Sequence, residues 1–346
     1  MTKISHNRVL ITDSDRLAID NVLTSGWIAE GKVVKDLEGD FVNCLGGGKA
    51  CAVSSGTAAL FLALRGLGIG RGDHVAVPSY SCAALLNAIY MLDAEPLVVD
   101  VRLDDFTINV ENLLTDYGHI RACIAVHCFG ASADVSALCE RGILTVEDCC
   151  QSLGGPQGLI GDVAVFSFYA TKIITGGQGG LLWDETGGVA ESARDFREYD
   201  GRKSYFPRFN FQMTDISAAL IRSQLRRIDQ ILKRRREIRH AYIDVLPNGL
   251  TVQSGLDDPN ILPYRFVIRT ASETQRNSLL HHLKARGVST IIPIEGFELL
   301  HRYLKLDPKQ FPNSESLAKT ALSLPLYPDL LDTEINRVVE SLKSFT

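Results

Sequence analysis

Between residues 50 and 185, short uninterrupted apolar runs alternate with stretches of helical character. The runs predict strands at 50–53, 74–77, 96–101, 122–127, 143–147, 162–168 and 180–183, and the intervening segments predict helices at 57–67, 81–92 and 135–141. Strands that are apolar throughout, rather than alternating, have both faces covered. The pattern therefore predicts an α/β fold: a mostly parallel seven-stranded sheet with helices on both faces. In such sheets reactive groups collect beyond the carboxyl ends of the strands.

Apolar residues at Ile216, Leu220, Ile228, Ile231, Leu232 and Ile238 follow a helical period and predict one long helix over 214–246. Its Lys233-Arg234-Arg235-Arg236 cluster reads as a solvated face. Pro247-Asn248-Gly249 ends that helix and divides the chain into a large domain over 1–246, carrying an N-terminal arm, and a small α+β domain over 247–346. In the second domain, strands are predicted at 264–268 and 289–292. Ser272-Glu273-Thr274-Gln275 opens a helix that runs to Arg286, and a last helix spans 333–343.

Charge narrows the class. The 346 residues carry 36 Lys+Arg against 41 Asp+Glu, a net charge of −5, which argues against nucleic acid or anionic lipid as the main partner. No run approaches the roughly 18 apolar residues of a membrane span. The eight cysteines form no Cys-x-x-Cys pair and the histidines do not fall at ligand spacing beside them, so no metal site is expected. Thr2-Lys3-Ile4-Ser5-His6-Asn7 carries no export core, and the cytosol is the expected compartment.

Four segments at strand ends carry candidate chemistry. Ser54-Ser55-Gly56-Thr57 is a strand-to-helix turn whose new helix offers unpaired N–H groups to an anion. Glu147-Asp148-Cys149-Cys150-Gln151 places an acid directly after an apolar strand, where it needs a cationic or donor partner. Ser167-Phe168-Tyr169-Ala170-Thr171-Lys172 sets a lysine between a buried strand and the turn Gly176-Gly177-Gln178-Gly179-Gly180, where desolvation among other cations would lower its pKa. Phe209-Asn210-Phe211 precedes the long helix. Taken singly, each has a plain structural explanation. A phosphate seat, a buried carboxylate and a nucleophilic lysine together are what pyridoxal 5'-phosphate requires.

With Thr24-Ser25-Gly26-Trp27-Ile28-Ala29-Glu30-Gly31, Pro78-Ser79-Tyr80, Met213-Thr214-Asp215 and Ser323-Leu324-Pro325-Leu326-Tyr327-Pro328 added in order, the chain from about residue 20 onward resembles the DegT/StrS family of sugar-nucleotide aminotransferases, within the fold-type-I pyridoxal-phosphate enzymes. The resemblance implies that Lys172 forms the Schiff base and shuttles protons, and that Asp148 pairs with the pyridinium nitrogen. It implies phosphate contacts from Gly56, Thr57 and Ser167, a ring contact from Gln151, and Asn210 reaching the cofactor of a neighbouring subunit in a homodimer. The implied substrates are a nucleotide-linked keto-sugar and an amino donor, glutamate.

Three departures bear on recognition: Cys82 stands where many members place an aromatic over the ring, Gln178 replaces the usual glutamate of the glycine turn, and Arg208 to Gln212 alters the stretch around Asn210. Trp27, Tyr80, His127, Arg202, Lys203, His301 and Tyr327 are candidate substrate contacts. A non-catalytic cofactor-binding regulator using the Lys233–Arg236 cluster, and a sugar dehydratase or lyase, are the alternatives. The dehydratases of the family carry histidine at the lysine position, so Lys172 favours aminotransfer.

Overall fold

The computed structural model describes residues 2–116, 119–255, 261–262 and 264–345. Seven strands form the large sheet: β1 (Lys49–Val53), β2 (His74–Pro78), β3 (Glu95–Val99), β4 (Ala122–Val126), β5 (Leu144–Asp148), β6 (Val163–Ser167) and β7 (Gly180–Asp184), in the order β1-β7-β6-β5-β4-β2-β3. All pairings from β3 through β6 are parallel. β7 runs antiparallel to both its neighbours, so β1 points the same way as β6.

Side-chain alternation along these strands feeds two separate cores. Cys51 and Val53 of β1, with Val163 and Val165 of β6, pack under the apolar helix Gly56–Gly66, whereas Ala50, Ala52, Ala164 and Phe166 pack on the opposite face against Phe41. The helices of this part are α1 (Asp13–Ser25), α2 (Lys32–Cys44), α3 (Gly56–Gly66), α4 (Ala84–Tyr90), α5 (Val110–Asp116), α6 (Val135–Glu140), α7 (Gly188–Phe196), α8 (Asp215–Leu225) and α9 (Ile228–Ile243). α3 buries every residue from Ala58 to Leu64, so it is fixed on all sides and presents its N-terminus rigidly at the sheet edge.

A smaller antiparallel sheet, in the order β10-β9-β8, is built from β8 (Thr251–Val252), β9 (Phe266–Arg269) and β10 (Ala321–Leu324). It packs with α9, α10 (Glu273–Ala285) and α13 (Asp332–Lys343) around a core of Tyr242, Phe266, Leu279, Leu322 and Val338. Two short helices, α11 (Leu300–Tyr303) and α12 (Pro312–Thr320), complete the chain. The N-terminal segment joins this part: Ile4 bridges Val288, and Arg8 pairs with Asp329 at 2.6 Å.

Three expectations are corrected. The long helix is two, α8 and α9, broken at Arg226-Arg227, where the Arg227 guanidinium reaches Asp15 at 2.5 Å. Residues 289–292 form no strand, only an isolated bridge from Ile291 to Ser323, and β10 takes the place beside β9. The basic cluster is a solvated face only in part, with Lys233 exposed. Arg235 is buried and donates to the carbonyls of Tyr264 and Leu326, and Arg234 pairs with Asp332 at 2.6 Å, so the cluster clasps the C-terminal part of the chain.

Candidate active site

The carboxyl ends of β1, β2, β4, β5 and β6 lie along one edge of the sheet, and the groups with candidate chemistry gather there. After β1, the Ser55 hydroxyl caps α3 by accepting the Ala58 N–H at 3.1 Å, leaving Gly56 and Thr57 at the first turn. A Cβ on Gly56 would stand 2.9 Å from Ser167 Cβ and 3.1 Å from its Oγ. The absent side chain is what lets the β6 serine and the α3 N-terminus share one concavity, with Cys150 as its third wall. Ser54 N donates to the Phe211 carbonyl at 2.7 Å, which lays the Asn210 segment beside the same turn.

Lys172 is held by its loop. Its N–H donates to Tyr169 O at 2.9 Å, Phe168 N donates to Gly179 O at 2.9 Å, and Thr175 Oγ1 bridges Phe168 O and the Gly177 N–H. The glycine turn lies against the end of β1, where a Cβ on Gly180 would collide with Ser55 O at 2.2 Å. The ammonium rests 5.2 Å from the centroid of the Tyr264 ring, within cation–π reach. Burial pushes the Lys172 pKa down, but Tyr264, Cys150, Asp148 and Cys82 outweigh it and the net shift is upward. The neighbouring cations that were expected to lower it are not what the pocket presents: Lys172 is surrounded by an acid, two thiols and a phenol, and its pKa is raised. The Lys172 charge, with that of Arg265, brings the Tyr264 phenol below its ordinary value despite burial.

Asp148 ends β5, buried, with one carboxylate oxygen accepting the Cys150 N–H at 3.0 Å. Desolvation by the surrounding protein and the Asp148 charge raise the thiols of half-buried Cys150 and of Cys82, which is exposed at its surface. Gln151 Oε1 accepts the Phe129 N–H at 2.9 Å, so its NH₂ is the group left to meet a ligand. The structure thus brings Gly56, Thr57, Ser167, Asp148, Cys82, Gln151 and Lys172 to one edge. Asn210 is exposed, its side-chain oxygen accepting the Gln212 N–H at 3.3 Å.

Four of the candidate substrate contacts are buried. Tyr80, His127, His301 and Tyr327 are each no more than 1% exposed. His127 Nδ1 accepts the Ala133 N–H at 3.1 Å, which makes Nε2 the protonated nitrogen, and Nε2 donates to Glu147 at 2.9 Å. Glu147 also accepts from the N–H groups of Gly158, Ile160 and Gly161 at 2.8, 2.8 and 2.6 Å. His127, Glu147 and Cys149 are close enough together to suggest a metal site, but these bonds already occupy the imidazole and the carboxylate. His301 joins Ser79 at 2.6 Å to Glu315 at 3.0 Å, yet the serine sits on Nδ1 and the acid on Nε2, the reverse of a hydrolytic triad, and Ser79 is fully buried. Trp27, Arg202 and Lys203 are exposed.

Sequence reasoning missed Tyr264, which meets Lys172 only through the fold. It also missed that Asp215 fills the N-terminus of α2, accepting from the N–H groups of Gly31 and Val34, both at 2.9 Å. A cavity of about 1010 Å³ lies elsewhere, against α1, α2 and α8, and its lining includes none of the residues around Lys172.

A lysine and an acid at the same edge of a mostly parallel sheet, beside a helix N-terminus, are the groups a lysine-carbonyl enzyme would use. The chain matches the DegT/DnrJ/EryC1/StrS aminotransferase family over residues 10–343, and it belongs to that family. Among solved structures it is similar to the aminotransferase TlmJ from Streptoalloteichus hindustanus, with 28% identity, a TM-score of 0.91, and 99% of this chain and 98% of that one covered. It is also similar to S. venezuelae DesV in complex with a ketimine intermediate, at 30% identity and a TM-score of 0.87, over 96% of this chain and 94% of that one. The PLP form of Spr1654 from Streptococcus pneumoniae, provisionally named a sugar aminotransferase, aligns at 25% identity with a TM-score of 0.92, covering 99% of this chain and 98% of that one. The mostly parallel seven-stranded α/β architecture agrees with these structures.

Proposed function

We propose that the protein is a pyridoxal-phosphate aminotransferase that moves an amino group from glutamate to the keto group of a nucleotide-linked deoxy-sugar. Family membership and the PLP form of Spr1654 support the cofactor, and the concavity at Gly56 fits it: a helix N-terminus and a hydroxyl suit a phosphate, with an acid and a lysine beyond. When bound, the cofactor supplies an aldehyde and an electron-accepting ring. Gly56, Thr57 and Ser167 would hold the phosphate, Asp148 would keep a proton on the ring nitrogen, and Gln151 would donate its NH₂. Cys82 would offer the ring less area than an aromatic. Nζ of Lys172 would take the proton from the donor's α-carbon and return it one bond away. The single observation carrying this reading is the concavity at Gly56, where the N-terminus of α3 meets Ser167, with half-buried Lys172 in the loop that follows β6.

The division into parts over 1–246 and 247–346 belongs to the same reading, as does a homodimer in which Asn210 serves the partner's cofactor. The dimer is supported by exposed Leu17, Trp27 and Ile28 and by the open cavity beside them. Light scattering tests it, and a monomer at working concentration refutes it. No helix among the described residues is long and apolar enough to cross a membrane, which is compatible with a cytoplasmic enzyme. The regulator alternative loses its support, since its basic cluster is engaged within the fold. The deciding experiment supplies L-glutamate with a panel of nucleotide-linked 3- and 4-keto-sugars. Release of 2-oxoglutarate with nitrogen in the sugar is expected. A dehydrated ketone without nitrogen would assign the dehydratase instead.

A further inference from the structure

The carboxyl ends of the neighbouring strands β2 and β3 are tied together by two helices that come more than 200 residues later in the chain. Directly after β2, the Ser79 N–H donates to Val99 O at 2.8 Å, and Ser79 O accepts the N–H of Leu300, the first residue of α11, at 3.0 Å. Directly after β3, Asp100 caps α12. Its carboxylate accepts the N–H groups of Asn313 and Ser314, both at 2.9 Å, and the Ser314 hydroxyl at 2.6 Å. His301 of α11 and Glu315 of α12 close the circuit between the two strand ends.

The His301 imidazole is fully buried and lies flat on the Phe311 ring, with centroids 4.3 Å apart. Arg302, bonded to Glu315 at 2.5 Å, holds that carboxyl below its usual range, so Glu315 is an acceptor only. Nε2 of His301 therefore donates to Glu315 at 3.0 Å, and Nδ1 accepts the Ser79 hydroxyl at 2.6 Å. Burial lowers the His301 pKa despite Glu315, which preserves this neutral tautomer at pH 7. A buried polar chain in which each member is bonded rigidifies the backbone it ties. That backbone leads to the candidate site: Ser79, Tyr80 and Ser81 are buried, Ser81 N donates to Ser79 O at 3.0 Å, and the turn then emerges at exposed Cys82. We propose that His301 is a positioning residue: by holding the Ser79 hydroxyl it sets the turn that presents Cys82 at the edge where Asp148 and Lys172 lie. One wall of the site is then fixed by a side chain of the C-terminal part. That Cys82 lies at a cofactor rests on the aminotransfer reading, whereas the placing of the turn does not.

The test is alkylation of Cys82 by N-ethylmaleimide, followed peptide by peptide with mass spectrometry, with exposed Cys44 at the end of α2 as the internal reference. Ser79→Ala removes the hydroxyl. His301→Gln keeps a donor for Glu315 but offers Ser79 no acceptor in place of Nδ1. Both should raise the Cys82 rate relative to Cys44 roughly 3- to 10-fold in cofactor-free protein, the loss of one buried hydrogen bond. His301→Asn, whose Oδ1 stands near the Nδ1 position, should stay within about twofold of wild type although it gives up Glu315. Equal rates in all four proteins, equal acceleration by the Asn and Gln variants, or an effect of His301→Gln that Ser79→Ala does not share would each overturn the proposal. Ser79→Ala keeps the test decisive should a His301 variant not fold. Loading with pyridoxal 5'-phosphate is a separate arm and should slow Cys82 alkylation in the wild type. If it does not, the reading that sets Cys82 over the cofactor ring fails, while the variants still decide whether His301 sets the turn.

Discussion

Replacing Glu147 by glutamine measures how firmly the fold holds the acid beside it. The Glu147 carboxyl is fully buried, and burial alone would raise its pKa. The bond and charge of His127 and the N–H groups of Gly161 and Gly158 overcome this and lower it from 4.5 to about 2. That difference corresponds to roughly 3 kcal/mol favouring the folded state at neutral pH. Because the folded value lies below the unfolded one, the contribution is complete above about pH 4.5 and fades as pH falls through about 2. At pH 3 it should be under half its neutral value, on the order of 1 kcal/mol. Glu147→Gln should therefore lower unfolding free energy by about 3 kcal/mol at pH 7 in equilibrium urea denaturation, and the gap to wild type should narrow at pH 3. His127 N donates to the Asp148 carbonyl at 3.2 Å, so the variant should also bind cofactor more weakly. Indistinguishable midpoints at pH 7, or a gap that does not narrow in acid, would refute the reasoning.

Asp148→Asn should reduce turnover roughly 10²-fold or more while the melting temperature changes little, and near-normal rates would make the carboxylate structural. Gly56→Ala inserts a methyl 2.9 Å from Ser167 Cβ and should weaken cofactor loading at least about tenfold, as read by fluorescence titration. The double variant with Ser167→Gly should restore part of the loss, and its failure to do so would remove the steric cause. Cys82→Trp should slow cofactor dissociation roughly 2- to 10-fold if the added ring stacks, and an unchanged rate would show that Cys82 does not cover the ring.

The large sheet could be read from the chain because its strands are buried on both faces, a condition that marks the sequence itself with continuous apolar runs. Ser55-Gly56-Thr57, Asp148 and Lys172 follow from it, since each comes directly after a strand. The break between α8 and α9 left no trace, because the apolar period continues across Arg226-Arg227 while the bend is fixed by distant Asp15. Arg235 misled for the same reason: by composition it is a surface charge, and only the fold brings the carbonyls of Tyr264 and Leu326 to it. Tyr264 sits more than 90 residues from Lys172, in a segment with no motif of its own, so its meeting with the lysine is a product of tertiary packing.

The most direct measurement is peptide mass spectrometry after incubating the protein with pyridoxal 5'-phosphate and reducing it with borohydride. The account predicts that the reduced cofactor is found on the peptide carrying Lys172, and that Lys172→Ala, still folded by circular dichroism, carries no label there and does not turn over. Label on another lysine, or turnover persisting in the alanine variant, would contradict it.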